Sequence, residues 1–220
     1  MLFFGILSIL LAVVFAKDTC YTDVGAACNS LPKPELMSNC NAKYGYTKKH
    51  LTDLQSYANA NIGISFEFLL MSSYFGNYED QREGFKKLYR KFSDEMWEDA
   101  INTIKYITKR GDIMNFNESP RFVKPTNVLE LNELNSLAKA LDRQKQLANE
   151  ALRIHSTFTQ INKEDDAALA HYIEEKFLEP QADRVRDLAG YTNDLKNLLR
   201  TGDDPSVAIF LFDEYLKKSL

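Results

Sequence analysis

The sequence lacks several features that would place it in common classes of protein. After the first sixteen residues it contains no long uncharged apolar run, so we expect no membrane-spanning helix. Its 27 lysine and arginine residues are scattered rather than massed, they face 31 aspartate and glutamate residues, and the net charge is −4. We therefore expect neither nucleic acid nor an anionic membrane as a partner.

Cysteine is scarce, and the three cysteines fall in one short segment near the N-terminus: Cys20, Cys28 and Cys40. Their Cys-x7-Cys-x11-Cys spacing matches none of the common zinc motifs. In an oxidising compartment, three thiols predict one disulfide bridge inside the chain and one cysteine left over for another chain. The alternative is a loose arm with a single bridge and a free thiol.

The first sixteen residues also lack charge, and they end in Val14-Phe15-Ala16, which suits cleavage by signal peptidase. We predict a signal peptide over residues 1–16 and a protein that enters the secretory pathway, to be retained in the Golgi or exported from the cell. A cysteine-containing N-terminal arm over residues 17–45 is then expected to precede one helical domain over residues 46–220.

The rest of the chain shows helical periodicity. We predict helices over residues 50–75, 83–110, 127–155, 165–200 and 205–216. Thr126 and Asn127 offer N-caps to the third helix. Residues 111–126 have no periodicity and predict one long crossover, whereas Pro180 predicts a kink in the fourth helix because proline removes a hydrogen bond. The fold class is therefore all-α, a four-helix bundle with one long crossover and a short fifth helix at the C-terminus.

A carboxylate interrupts the apolar stripe of the second helix. That stripe runs through Phe85, Leu88, Phe92, Met96, Asp99, Thr103 and Tyr106. Burying an unpaired carboxylate is costly, so Asp99 should be neutral, hydrogen-bonded, near water or near a metal. An acidic cluster of Asp94, Glu95 and Glu98 lies beside it, which is typical of a helical bundle that handles metal ions.

Short motifs in four of the predicted helices resemble ferritin. They are Met71–Phe75, the acidic run ending in Ala100 together with Arg110-Gly111, Phe177–Gln181, and Leu211–Asp213. With the signal peptide and the arm, the chain looks like a secreted insect-type ferritin subunit over residues 46–220. The resemblance implies a hollow shell of twenty-four subunits that takes up Fe²⁺ and stores iron as a ferric mineral.

The resemblance also assigns the positions of the family's ferroxidase centre. Its charged glutamate positions fall on the neutral residues Asn61, Met96 and Gln144, its histidine falls on Asp99, and its glutamine is kept as Gln181. The chain has no Glu-x-x-His sequence, which di-iron bundles use. Because neutral side chains do not supply the negative charge that two iron ions need, the resemblance implies a light-type subunit that is not an enzyme.

Two further sets of residues are implied to handle iron. The candidates for mineral nucleation are Asp94, Glu95, Glu98 and Asp99, with an ordinary solvated helix face as the alternative. The candidates for the threefold channel of the shell are Glu174 and His171, with plain surface residues as the alternative.

We therefore expect a non-ferroxidase subunit that co-assembles with a ferroxidase-bearing heavy-type subunit, to which the arm cysteines could be disulfide-linked. A first alternative is residual ferroxidase activity at an improvised site formed by Glu95, Asp99 and Gln181. A second alternative is a secreted four-helix binding or signalling protein of cytokine type, in which these residues have no role in metal binding.

Overall fold

A computed structural model describes residues 19–28, 38–44, 48–121, 131–159, 166–201 and 204–220. The chain divides into two compact units, Met1–Lys43 and Tyr44–Leu220. The predicted signal peptide lies outside the described residues, and so do the predicted caps Thr126 and Asn127. Within the ranges described, no helix combines the length and the apolar character that a membrane span needs.

The first unit contains the helix α1 (Cys20–Cys28) and a segment that is bonded back to it. A disulfide joins Cys20 to Cys40, in agreement with the prediction of one bridge inside the chain. Beside it, the Asn39 N–H donates a hydrogen bond of 2.8 Å to Asp23 Oδ2. The sequence did not indicate which cysteine is left over, and the side chain of Cys28 is outside the part that is described.

The second unit is a helical bundle, which confirms the predicted fold class. Its long helices are α2 (Lys48–Phe75), α3 (Glu83–Lys109) and α4 (Glu133–Thr159). The fourth rod comprises α5 (Ala167–Ile173), a π-helical turn (Glu174–Leu178) and α6 (Glu179–Thr201). The C-terminal helix is α7 (Pro205–Ser219).

Small polar residues let α2 and α3 pack closely along their lengths. Ser65 Oγ donates to the Ser93 carbonyl at 2.9 Å, and Ser93 Oγ donates to the Ser65 carbonyl at 2.9 Å. Further along the same pair of helices, the rings of Phe75, Phe85 and Tyr89 stack within the core. The two helices thus form a rigid antiparallel pair that presents fixed side chains to the rest of the bundle.

Helix α4 begins at Glu133, so the predicted start near residue 127 is wrong. Asn132 Oδ1 accepts hydrogen bonds from the N–H groups of Leu134 at 3.1 Å and Asn135 at 3.2 Å. Asparagine is a favoured N-cap because its side chain satisfies N–H groups of the first turn.

The predicted irregularity at Pro180 takes the form of a widened turn just before it. Proline has no N–H to donate, and the preceding Glu179 N–H bonds the carbonyl of Glu174, five residues back. The π-helical turn therefore lies directly next to the stretch that carries Gln181 and Arg184.

Helix α7 docks on the first turn of α3 through a buried carboxylate. Asp213 Oδ1 accepts a hydrogen bond of 3.0 Å from the Phe85 N–H. Gly84 makes this approach possible, since a Cβ at that position would overlap the Asp213 carbonyl oxygen. Phe212 packs against Phe85 with ring centroids 5.8 Å apart. The apolar C-terminal helix is thereby attached to the bundle.

The crossover after α3 runs along α2 and is held by side chains of that helix. Gln55 Nε2 donates to the Ile113 carbonyl at 2.7 Å. Asn59 Nδ2 donates to the carbonyls of Asn115 at 3.1 Å and Glu118 at 2.7 Å. Residues 113–118 of the connection therefore lie along the outside of α2.

Candidate functional site

Side chains from α2, α3, α4 and α6 form a largely polar centre inside the bundle. Asn61, Met96, Gln144 and Gln181 are each 0% exposed. Each occupies an inward position of its helix, and three of the four are amides where an apolar residue would be usual. These four residues, together with Asp99, are the ones that the resemblance noted in the sequence assigned to a single metal centre.

Short contacts connect these residues across the helices. Gln144 Nε2 lies 3.6 Å from Met96 Sδ, which joins α4 to α3. The Tyr57 hydroxyl lies beside the side chains of Asn61 and Gln181, which brings α2 next to α6. Burial raises the pKa of Tyr57, and the negative charge of nearby Asp99 raises it further. The structure therefore does bring the predicted residues together.

Arg184 of α6 binds two carboxylates of α3. Its Nη1 donates to Asp99 Oδ2 at 2.7 Å, and its Nε donates to Glu95 Oε2 at 2.9 Å. Glu95 and Asp99 are four residues apart, so they lie on one face of the helix. The side chains of Arg184 and Asp99 are only 13% and 11% exposed, so solvent screens this ion pair weakly.

The ion pair keeps the side chain of Arg184 charged inside the bundle. Burial raises the pKa of Asp99, and the charge of Arg184 opposes that shift without reversing it. Burial lowers the pKa of Arg184, but the charges of Asp99 and Glu95 more than offset this, so the net pKa is raised. The guanidinium therefore remains protonated.

Several buried polar atoms of the centre make no hydrogen bond of ordinary length and angle among the described residues. They are Tyr57 Oη, Asn61 Oδ1, Gln144 Oε1, Tyr172 Oη and both amide atoms of Gln181. Most buried polar groups in proteins are hydrogen-bonded, so the centre is unusually polar for a bundle interior. The pKa values of Tyr57 and Tyr172 both respond to the charge of Asp99, which places the two hydroxyls close to the ion pair.

The predicted nucleation cluster is divided between two environments. Glu95 and Asp99 face inward onto Arg184, whereas Asp94 faces outward and pairs with Arg90 at 2.9 Å. Glu98 is exposed. Across the stretches that the structure covers, no three histidine, cysteine, aspartate or glutamate side chains converge to hold a metal ion. The four residues therefore do not form one preformed chelating site within the chain.

The predicted channel residues lie at and near the π-helical turn. Glu174 is 59% and His171 76% exposed in their side chains. His155 Nε2 lies 4.0 Å from Glu174 Oε2, and His171 Nε2 lies 3.8 Å from Glu175 Oε2. Both candidates are thus on the surface. Glu174 lies beside an imidazole, and His171 lies beside a carboxylate.

A family model for the ferritin-like domain matches residues 51–198. The chain belongs to the ferritin family. It is 42% identical to the ferritin light chain of Trichoplusia ni over 223 residues, which cover 97% of this chain and 96% of that one. It is 44% identical to the ferritin light chain of Drosophila melanogaster over 214 residues, which cover 94% and 93% of the two chains.

A solved ferritin has the same fold. The secreted ferritin of Trichoplusia ni superposes with a TM-score of 0.84 at 40% identity, over 92% of this chain and 100% of that chain. The ferritin resemblance read from the sequence motifs is therefore confirmed.

The central residues of this ferritin do not fit a pair of iron ions. Asn61, Met96 and Gln144 are neutral, and the carboxylates of Glu95 and Asp99 are already bonded to a guanidinium. A di-iron centre in a bundle is built from several glutamates and histidines that face each other. Here the chain supplies two carboxylates, and the guanidinium of Arg184 is bonded to both of them.

Arg184 is the residue that reasoning from the sequence missed. It lies three positions after Gln181, so both side chains share one face of α6. The interior carboxylate of Asp99 was the available signal, because a buried negative charge requires a partner. The sequence did not reveal that the partner comes from another helix, 85 residues away in the chain.

Proposed function

We propose that this ferritin is a light-type subunit of a secreted iron-storage shell. In this function the shell takes up Fe²⁺ and holds it as ferric mineral, while the present subunit contributes to the wall and the mineral surface without oxidising iron itself. A heavy-type subunit in the same shell supplies the oxidation.

The observation that carries this proposal is the chemistry of the central residues. The neutral side chains of Asn61, Met96 and Gln144 stand at positions where heavy-type ferritins bind iron through charged groups. Tight binding of two iron ions depends on hard, negatively charged oxygen ligands. Two relatives that share more than 40% identity over nearly the whole chain are ferritin light chains, which supports the same conclusion.

Oxygen consumption during Fe²⁺ addition tests the proposed division of labour. The purified chain alone should oxidise Fe²⁺ no faster than buffer, whereas a mixed assembly with a heavy-type subunit should oxidise it rapidly. Residual activity through Glu95, Asp99 and Gln181 predicts instead that the chain alone consumes oxygen and that Asp99→Ala abolishes the reaction. The guanidinium on both carboxylates argues against that alternative.

Native mass spectrometry tests the proposed shell. The chain is expressed in secreting cells with and without a heavy-type ferritin, and the mass of each purified assembly is measured. We expect a particle of shell size when the partner is present. A particle no larger than a dimer under both conditions would contradict the proposal and revive the signalling-protein alternative.

The N-terminal region is proposed to serve secretion and assembly. Cleavage after Ala16 would remove the signal peptide and leave residues 17–45 as an arm at the start of the mature chain. The solved relative is itself a secreted ferritin. With Cys20 and Cys40 bridged, Cys28 remains for a disulfide to a neighbouring subunit. Non-reducing electrophoresis of the mixed shell should show linked subunits that Cys28→Ser removes, while N-terminal sequencing should begin at Lys17.

The acidic surface of α3 and the channel candidates are proposed to guide iron to the mineral. Asp94 and Glu98 are the exposed members of the acidic cluster, whereas Glu174 and His171 are exposed near the π-helical turn. Replacing Asp94 and Glu98 with asparagine and glutamine should slow mineral growth in a mixed shell without changing oxygen consumption. If the substituted and unchanged shells grew mineral at equal rates, the cluster would be an ordinary solvated helix face.

A further inference from the structure

We propose that a groove along the first half of α3 binds inorganic phosphate. The groove lies between the end of α2 and α3 and has a volume of about 700 Å³. Four cationic side chains line it, those of Lys86, Lys87, Arg90 and Lys91, and we call it the basic groove. A phosphate site goes beyond the proposed function in iron storage, and it can be tested without iron.

Two of the four cations are paired with carboxylates of α3. Lys86 Nζ lies 3.1 Å from Glu83 Oε1, and Arg90 Nη2 lies 2.9 Å from Asp94 Oδ1. Each carboxylate therefore offsets one cation and leaves the remaining two lysines of the basic groove uncompensated.

Lys87 and Lys91 carry the uncompensated charge. Lys87 Nζ donates to the backbone carbonyl of Lys217 at 3.0 Å, whereas Lys91 makes no hydrogen bond or ion pair with any residue that the structure describes. The two lysines are four residues apart, so their ammonium groups share one face of α3 and repel each other. A hydrogen phosphate ion carries two negative charges, and its binding between them would remove that repulsion.

The position of the basic groove on α3 strengthens its positive potential. Lys86 and Lys87 lie next to the first turn of the helix, where the backbone contributes a partial positive charge. Cations are favoured at the opposite end of a helix, so these two lysines add to the backbone charge instead of balancing it. A concave surface with charge of one sign concentrates ions of the other sign.

Helix α2 supplies the opposite wall and a further hydrogen-bond donor. A Cβ on Gly76 would lie 2.8 Å from Lys86 Cδ, so the absence of a side chain lets the lysine lie across the end of α2. The exposed hydroxyl of Ser73 lines the same groove. Phosphate oxygens accept hydrogen bonds from ammonium, guanidinium and hydroxyl groups, and the basic groove offers all three.

A double variant, Lys87→Gln with Lys91→Gln, tests the site because it removes both uncompensated charges from exposed positions. Lys105→Gln with Lys109→Gln is the matched control. These two lysines are also exposed and four residues apart on α3, and neither lines the basic groove. Equilibrium dialysis of the iron-free, full mature chain against radiolabelled inorganic phosphate counts the ions bound per subunit. Chloride at about 0.15 M suppresses attraction that is due to diffuse charge alone.

We expect the wild type and the control to bind one phosphate per subunit. The Lys87→Gln, Lys91→Gln chain should bind it at least about tenfold more weakly, because two charge-assisted hydrogen bonds are lost. Lys87→Arg with Lys91→Arg should retain binding, since arginine also recognises phosphate. The inference is overturned by a wild type without saturable binding, by equal binding in the glutamine variant, or by an equal loss in the control.

Circular dichroism verifies that each variant is folded. If the double variant does not fold, Lys91→Gln alone decides, because that side chain has no bond to lose and its removal should weaken phosphate binding at least about threefold. The phosphate site and the proposed function fail separately. A chain that binds phosphate but never enters a shell rejects only the proposed function, and a shell in which the variant binds phosphate as the wild type does rejects only the phosphate site.

Discussion

Two carboxylates are buried against α3, Asp213 of α7 at its first turn and Asp99 in its middle, and they are stabilised by different means. Asp213 accepts an N–H of the first helical turn at 3.0 Å, so the helix terminus provides the partial positive charge. Asp99, four turns further along the helix, lies where no free N–H group is available and takes a full cation from Arg184. At the start of a helix, free backbone N–H groups can stabilise a buried carboxylate. In the middle of a helix, the carboxylate needs a charged side chain from another element.

The largest expected effect comes from breaking the mid-helix pair. Arg184→Met leaves Asp99 buried without its cation and should lower the free energy of unfolding by about 3–5 kcal/mol. Urea unfolding of the chain measures it. Arg186→Met is the exposed control and should change stability by less than about 0.5 kcal/mol. Equal losses in the two variants would show that Asp99 does not depend on Arg184.

A smaller effect is expected where α7 meets α3. Gly84→Ala places a methyl group against the backbone of Asp213, so the helices must separate at a cost of about 1–3 kcal/mol. Gly63→Ala is the control, because a Cβ there would have no atom within 4 Å apart from the adjacent residues and backbone of its own helix. That change should be neutral or stabilising by about 0.5–1 kcal/mol. Thermal unfolding measures the stability of both variants. Equal changes in stability would contradict the claim that Gly84 is needed for the close approach of the two helices.

Removing the terminus-bound carboxylate itself should cost less. Asp213→Ala loses the acceptor of the Phe85 N–H and should destabilise the chain by about 1 kcal/mol, as loss of a helix cap does. Glu214→Ala, at the next position of α7, should have little effect because its pair with Lys217 is partly exposed. Hydrogen exchange of the Phe85 amide should be faster only in the Asp213 variant.

The smallest effect is the pH dependence of the same group. Burial raises the pKa of Asp213, while the backbone of Phe85 and Gly84 and the charge of Arg82 oppose the shift. A carboxyl with a higher pKa in the folded state favours folding when protonated, so its contribution is complete below about pH 3.8 and is lost as the pH rises through the raised pKa. Unfolding of the wild type, compared with Asp213→Asn between pH 3 and 7, should show that decrease. A constant difference would contradict it.

The comparison also shows which parts of this ferritin could be predicted from sequence. Helical periodicity and helix-breaking residues predict the long helices, the crossover and the proline at the first turn of α7, because these depend on neighbours along the chain. The start of α4 was misplaced since several residues before Glu133 can cap a helix. The structure shows Asn132 in that role, with its side chain bonded to the N–H groups of Leu134 and Asn135.

The centre could be predicted only in part. The inward position of Asp99 follows from the stripe on α3, and the ferritin motifs align Asn61, Gln144 and Gln181 with it. The guanidinium of Arg184 could not be predicted, because its reach depends on the spacing and rotation of α6 relative to α3. For the same reason the acidic residues that look like one cluster in the sequence divide between the interior and the surface.

Side chains of α2 hold residues 113–118 of the crossover in place. One amide group, that of Asn59, holds the carbonyls of Asn115 and Glu118 on either side of a turn. Phe116 and Asn117 between these two anchors point to solvent. Residues 116 and 117 are therefore a position where a foreign peptide can be inserted for display on the molecule, with its two ends already fixed to the helix beneath.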